Sequence, residues 1–343
     1  MKIFALVAAL LLTLAAPASA APLSLLKPAG HYPIGLRTMA LTDPARADHW
    51  HPEERRTLMV SLWYPAIPVG EPGRYMTLAE SAATVKPYGL PDDTLYRLRT
   101  HSRADAPALP SAKGKGWPLV VLSPGAGNSR TTLTTLAEQL ASQGFVVAAI
   151  DHAYEAFNVE FPGGRMLTCV PCTAEGTPWP AGIESRAGDV SFVLDSLLGQ
   201  RSPRLDGSRI GMAGHSAGGA AAALAMAADR RIKAVADLDG PFYRPTALDR
   251  PFALFTSPVG EQEFGAGWDE NWPRLTGWKD RRFLPETGHS SSTDTGYLIA
   301  ATGLKDKVPA TTWSRLYGSI DPAAGLKFFR AELTDFFEDK VGA

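Results

Sequence analysis

Cysteine is scarce in this chain, with only Cys169 and Cys172 among 343 residues. Two thiols are too few to enclose a structural zinc. They stand as Cys-Val-Pro-Cys, which has redox spacing but lacks the strand-then-helix setting that lowers a thiol pKa. The pattern predicts a small disulfide pinning a surface loop in an oxidising compartment. An excess of either charge is also missing, with 34 Lys and Arg against 35 Asp and Glu. No Lys/Arg-rich run occurs, so neither nucleic acid nor an anionic membrane surface has an electrostatic partner here. Internal repeats and low-complexity tracts are absent. His49-Trp50-His51 is not read as a metal pair, and no metal is expected.

The long apolar run, Ile3 to Ala16, is too short to span a bilayer. Lys2 precedes it and Ala18-Ser19-Ala20 follows, the order of a cleaved targeting segment over residues 1–20. The mature chain is therefore expected to begin near Ala21, secreted or periplasmic. No cysteine lies near the cleavage point to carry a lipid.

What remains is the composition of a globular protein, 45% hydrophobic and 20% charged. Short apolar runs without alternation predict buried strands at Leu58–Trp63, Pro118–Ser123, Phe145–Ile150, Ile232–Leu238 and Phe252–Thr256, and a last one near 282–284. Between them, helices are predicted over Thr131–Gln143, Arg186–Leu198, Ala217–Ala228 and Pro322–Glu338. Residues 69–115 read as an excursion with a helical possibility over Asp92–Arg99. Residues 153–184 read as a loop insertion suited to a lid. Alternating strands and helices predict an α/β fold, a doubly wound and mostly parallel sheet covered on both faces. No linker divides it, so 21–343 reads as one domain.

One pentapeptide carries chemistry. Gly214-His215-Ser216-Ala217-Gly218 follows a strand-like Ile210–Ala213 and opens an Ala-rich helix, the setting of a G-x-S-x-G nucleophile elbow. Ser216 is thus the expected nucleophile. A serine needs a base, and the base needs a carboxylate, in the chain order Ser, acid, His. The chain has seven histidines. His31, His49, His51, His101, His152 and His215 precede Ser216, and only His289 follows. His289 is therefore the expected base. For the acid the candidates are Asp237, Asp239, Glu261 and Glu263. Asp239 abuts Gly240-Pro241 at a strand end, whereas Glu261 fits an acid placed after the following strand. A developing oxyanion needs two N–H donors. Ala217 and Ala126, the latter within Pro124-Gly125-Ala126-Gly127, are the expected ones. The aromatic segment with Phe264, Trp268, Trp272 and Trp278, together with Phe161 to Pro180, is expected to wall an apolar substrate pocket.

Several segments resemble one family in order and spacing. They are Gly30-His-Tyr-Pro-Ile-Gly35, Ser61-Leu-Trp-Tyr-Pro-Ala66, Pro118-Leu-Val-Val-Leu-Ser-Pro-Gly125 and Gly144-Phe-Val-Val-Ala-Ala-Ile-Asp-His152. Gly214-His-Ser-Ala-Gly-Gly219, Leu238-Asp-Gly240 and the helix from Ile320-Asp-Pro to Phe337 continue the likeness. The chain resembles the plasma-type platelet-activating-factor acetylhydrolases, a branch of the α/β-hydrolases. That resemblance implies a calcium-independent, cofactor-free serine esterase for short or oxidised acyl esters, a small-molecule or lipid substrate. It implies a triad of Ser216, Asp239 and His289, with Ala126 and Ala217 as oxyanion donors. Related secreted members resemble polyester- or lactone-cleaving hydrolases. A serine peptidase or amidase would use the same residues, and a hydrolase-fold binding protein would have lost their chemistry.

Overall fold

A computed structural model describes residues 23–111, 114–173 and 179–342. The expected targeting segment over 1–20 lies outside the described residues. The chain opens with β1 (Ile34–Ala47), β2 (Arg55–Pro65), β3 (Pro72–Arg74), α1 (Leu78–Val85) and β4 (Arg99–Ala104). Next come β5 (Trp117–Ser123), α2 (Thr134–Ser142), β6 (Val146–Asp151), the hairpin β7 (Val159–Phe161) and β8 (Arg165–Leu167), and α3 (Trp179–Leu198). The elbow joins β9 (Leu205–His215) to α4 (Ala217–Ala228), followed by β10 (Ile232–Leu238), β11 (Phe252–Thr256) and α5 (Pro258–Asn271). The last elements are β12 (Lys279–Phe283), α6 (Asp294–Ala301), α7 (Ala310–Tyr317) and α8 (Pro322–Lys340).

Ten strands form one sheet in the order β12-β11-β10-β9-β5-β6-β2-β1-β4-β3. From β12 to β6 every pairing is parallel, and β2 then pairs antiparallel with both β6 and β1. This is the α/β-hydrolase architecture. The chain leaves β5 towards β6 and later returns on the other side of β5 as β9. The carboxyl ends of β5 and β9 therefore flank a switch point, where ligands of open α/β sheets bind.

Burial explains why the central strands lack alternation. All seven residues of β5 and all six of β6 are buried, because α3 and α4 cover one face while α2 and α8 cover the other. Small residues set the spacing. Phe337 of α8 seats over Gly211, where a β-carbon would lie 2.6 Å from the ring. Burying that ring contributes about 2–3 kcal/mol.

Three stretches differ from expectation. Residues 92–98 form turns that feed β4, and the helix of the excursion is instead α1, started by a reciprocal capping box between Thr77 and Glu80. Much of the aromatic segment at 264–278 belongs to α5. The half-exposed antiparallel β1 was not expected at all.

Two carboxyls are buried between α2 and α6. Asp294 accepts the Thr135 N–H at 3.2 Å, and Glu138 accepts the His101 N–H at 2.8 Å. Each has a second oxygen without a partner among the described residues. Burial pushes both up to about 7, with mutual repulsion adding to the shift of Asp294. A carboxyl raised in the folded state stabilises fully below its unfolded pKa, and that stabilisation is lost as pH rises through 7. Asp294→Asn should therefore gain on the parent chain between pH 4 and pH 8, by on the order of 4 kcal/mol. Paired urea melts at the two pH values would show this, and a pH-independent difference would refute it.

Candidate active site

The elbow is set by steric necessity. A β-carbon on Gly214 would lie 2.0 Å from the Gly218 carbonyl oxygen, and one on Gly218 would lie 1.9 Å from that of Ser123. Only glycine lets β9, α4 and the end of β5 approach so closely. Ser216 takes φ 54° and ψ −120°, outside the regions favoured by side-chain-bearing residues. Its N–H donates to the Leu238 carbonyl at 2.9 Å, while its own carbonyl accepts from Gly219 and Ala220. The backbone therefore holds the strain, and the hydroxyl points away from the structural bonds.

The loop after β12 brings His289 to that hydroxyl. Nε2 lies 2.9 Å from Ser216 Oγ and Nδ1 lies 2.7 Å from Asp239 Oδ2. Asp239 follows β10 directly and is itself left-handed, at φ 62°. Its carboxylate also accepts the Ser257 N–H at 2.8 Å on Oδ1 and the Ser257 hydroxyl at 2.7 Å on Oδ2. A carboxylate accepts only, so Nδ1 of His289 carries the proton and Nε2 presents a lone pair to the serine hydroxyl. That tautomer can take a proton from Ser216.

The other carboxyls are engaged elsewhere. Glu261 accepts the Thr256 hydroxyl and pairs with Arg281, each at 2.6 Å. Glu263 pairs with Arg315. Asp237 is fully buried and accepts the Gly240 N–H at 2.8 Å, and burial pushes its pKa well above the carboxylate range. Among the carboxyl groups of the described residues, only that of Asp239 hydrogen-bonds the His289 ring.

His215 was expected to be merely the variable position of the elbow, but it braces the base. Its Nε2–H donates to the His289 carbonyl at 2.8 Å. Burial, helped by the neighbouring His289 ring, pulls its pKa down to about 3 and keeps it neutral. Nothing in its local sequence signals this, because the partner lies 74 residues on.

Ala217 follows Ser216, Ala126 lies in the loop whose Ser123 and Pro124 carbonyls abut Gly218, and neither alanine N–H meets an acceptor among the described residues. Gly127, at φ 74°, turns that loop. The insertion reaches it directly. The Phe157 ring and Cys172 Sγ lie 3.1 and 3.3 Å from where a Gly127 β-carbon would be. Cys172 is disulfide-bonded to Cys169. The Phe264 ring lies 6.1 Å from that of His289.

The tryptophans expected in a pocket wall lie elsewhere. Trp268 is fully buried, and its indole N–H donates to the Gly240 carbonyl at 2.7 Å, so it supports the Asp239 turn from behind. Trp272 packs on the core beneath α5, with Lys279 Nζ 5.2 Å from its ring. Trp278 accepts the Phe252 N–H at the amino end of β11, the end of the sheet remote from Ser216, and stacks near Phe336. A cluster in sequence is split here by α5 and the turn that follows it.

Comparison with known proteins gives concordant matches. Residues 89–159 match the model of the family described as platelet-activating factor acetylhydrolase, isoform II. A probable 1-alkyl-2-acetylglycerophosphocholine esterase from Arthroderma benhamiae is 27% identical, the alignment covering 94% of this chain and 89% of that one. The solved structure of a ferulic acid esterase from Streptomyces cinnamoneus superposes with a TM-score of 0.85 at 38% identity. That match covers 94% of each chain.

Proposed function

The chain belongs to the platelet-activating factor acetylhydrolase isoform II family of esterases, and from that premise we propose that it is a secreted serine hydrolase of short or oxidised acyl esters. The observation that carries the serine mechanism is the unbroken hydrogen-bonded chain Ser216–His289–Asp239 on a strained elbow. Ser216 Oγ attacks the ester carbonyl as its proton passes to His289 Nε2, and the Asp239 carboxylate stabilises the imidazolium. Charge growing on the carbonyl oxygen is met by the Ala126 and Ala217 N–H groups, aided by the amino end of α4. Collapse expels the alcohol, protonated by His289, and leaves an acyl-serine. Water, activated by the same histidine, then releases the acid and restores the serine. No step calls for a metal or cofactor. Export is supported by the leader pattern and by the disulfide.

Small acyl groups are favoured in this reading because Phe157 lies against the Gly127 turn and Phe264 lies beside His289, so both are taken as walls of the acyl site. The same two rings, with the identity to a protein named ferulic acid esterase, support aromatic acyl esters as a second reading. p-Nitrophenyl acetate and butyrate should exceed the dodecanoate by at least about tenfold in kcat/KM. A methyl hydroxycinnamate and a 1-alkyl-2-acetyl phospholipid in the same panel would separate the two readings. Cleavage of long-chain triglyceride as fast as the acetate would refute both.

A further inference from the structure

Behind the oxyanion loop lies a second, sealed set of Ser, His and Asp. Ser123 Oγ is 3.0 Å from His152 Nε2, and His152 Nδ1 is 2.7 Å from Asp189 Oδ2. All three are buried, with Ser123 and Asp189 wholly so, and Ser123 lies in regular strand at the end of β5. No substrate reaches this serine, so the set is not a second nucleophile. Asp189 is also gripped by Arg56, whose Nη2 lies 2.6 Å away, and by Arg46 at 2.8 Å. Burial opposes its charge, but the Arg56 guanidinium and the hydrogen bond from His152 hold it ionised, with its pKa far below the usual range. His152 accordingly donates from Nδ1 and accepts the Ser123 hydroxyl at Nε2.

The same cluster reaches the loop at two further points, and the neighbouring Phe157 backbone adds a third. Arg186 Nη1 donates to the Pro124 carbonyl at 2.6 Å, and its Nε donates to Glu155 Oε2 at 2.5 Å. The Glu155 backbone carbonyl accepts the Gly127 N–H at 2.9 Å. The Gly127 carbonyl accepts from Phe157 at 3.1 Å. Residues 123, 124 and 127 are thus each tied to one buried ionic cluster, while Ala126 between them has its N–H free of any acceptor among the described residues. Sealed ion pairs of this kind are costly to desolvate and commonly neutral for stability, so their retention asks for another role.

We propose that Arg186 is a positioning residue for oxyanion stabilisation, fixing the Pro124–Gly127 loop so that the Ala126 N–H is aimed at the developing charge, with Ser123–His152–Asp189 as its second tether. The proposal rests on the serine-esterase reading. Its effect falls on the transition state, because a small rotation of one donor changes its bond to an oxyanion far more than to a neutral ester.

The test uses Arg186→Lys, which keeps the charge but not the forked grip, and Ser123→Ala, which removes only the second tether. Each is assayed in the full chain alongside Ser216→Ala. Arg186→Lys should lower kcat about 10- to 100-fold with KM nearly unchanged. A trifluoromethyl ketone, which forms a tetrahedral adduct on the serine, should lose affinity in parallel, while the corresponding methyl ketone keeps its affinity. Ser123→Ala should move both quantities the same way by a smaller factor, and it carries the test if Arg186→Lys does not fold. Folded variants that keep full trifluoromethyl-ketone affinity, or lose kcat only in proportion to the folded fraction, would overturn the proposal. An active Ser216→Ala would instead overturn the esterase mechanism beneath it.

Discussion

Ser216→Ala is expected to lower kcat for p-nitrophenyl acetate by roughly 10⁴- to 10⁶-fold, leaving a residual rate from binding and oxyanion stabilisation alone. The fold should survive intact. Among the described residues the hydroxyl makes one hydrogen bond, to His289 Nε2, whereas the elbow is held by the backbone bonds to Leu238, Gly219 and Ala220. Alanine keeps the β-carbon, so the cost of φ 54° is unchanged and the variant should melt near the parent temperature. Glycine at the same position would remove that cost and should raise stability while being equally inactive. Circular dichroism and thermal melting read the fold, and a fluorophosphonate probe reads the nucleophile. Turnover near the parent rate with an unchanged spectrum would end the serine mechanism.

Legibility in the sequence followed burial. β5, β6, β10 and β11 are largely apolar and do not alternate because helices cover both of their faces, and such runs announce themselves. β1 does not, because its partners leave one face half exposed and Asp43-Pro44 interrupts its alternation. α1 carried a readable signal, Thr77-Leu-Ala-Glu80, overlooked inside a Pro- and Gly-rich stretch. α5 was hidden by its own glycines, although Ser257 before Pro258 marks its start. In the site, chain order pointed to Ser216 and His289 but left four carboxyls, among which the strand end and the family resemblance favoured Asp239; hydrogen bonds join these three in the structure. The roles of His215, Arg186 and Glu155 depend on contacts across dozens of residues, so no local pattern encodes them. The tryptophans misled because proximity in sequence does not say which end of a sheet a side chain occupies.

Asp239→Asn is expected to cost on the order of 10⁴ in kcat, and the hydrogen bonds around the carboxylate explain why. Oδ1 accepts from the Ser257 backbone N–H, a donor that cannot turn away. An amide nitrogen placed there would set donor against donor, so the asparagine must keep its oxygen at that corner. Its NH₂ then takes the place of Oδ2, facing the Ser257 hydroxyl and His289 Nδ1. The hydroxyl can rotate to accept, but the imidazole must also accept, which moves its proton to Nε2. A protonated Nε2 has no lone pair for the Ser216 hydroxyl, and the nucleophile is no longer activated. The loss should therefore appear in kcat with the fold retained, since the side chain keeps its size and its bond to Ser257 N–H. Glu261→Gln supplies the contrast. Its partners are Thr256 and Arg281, so kcat should stay within about twofold while stability falls slightly through the lost pair. If instead Asp239→Asn turned over normally and Glu261→Gln did not, the acid would be Glu261, and the hydrogen bond from His289 to Asp239 would be structural only.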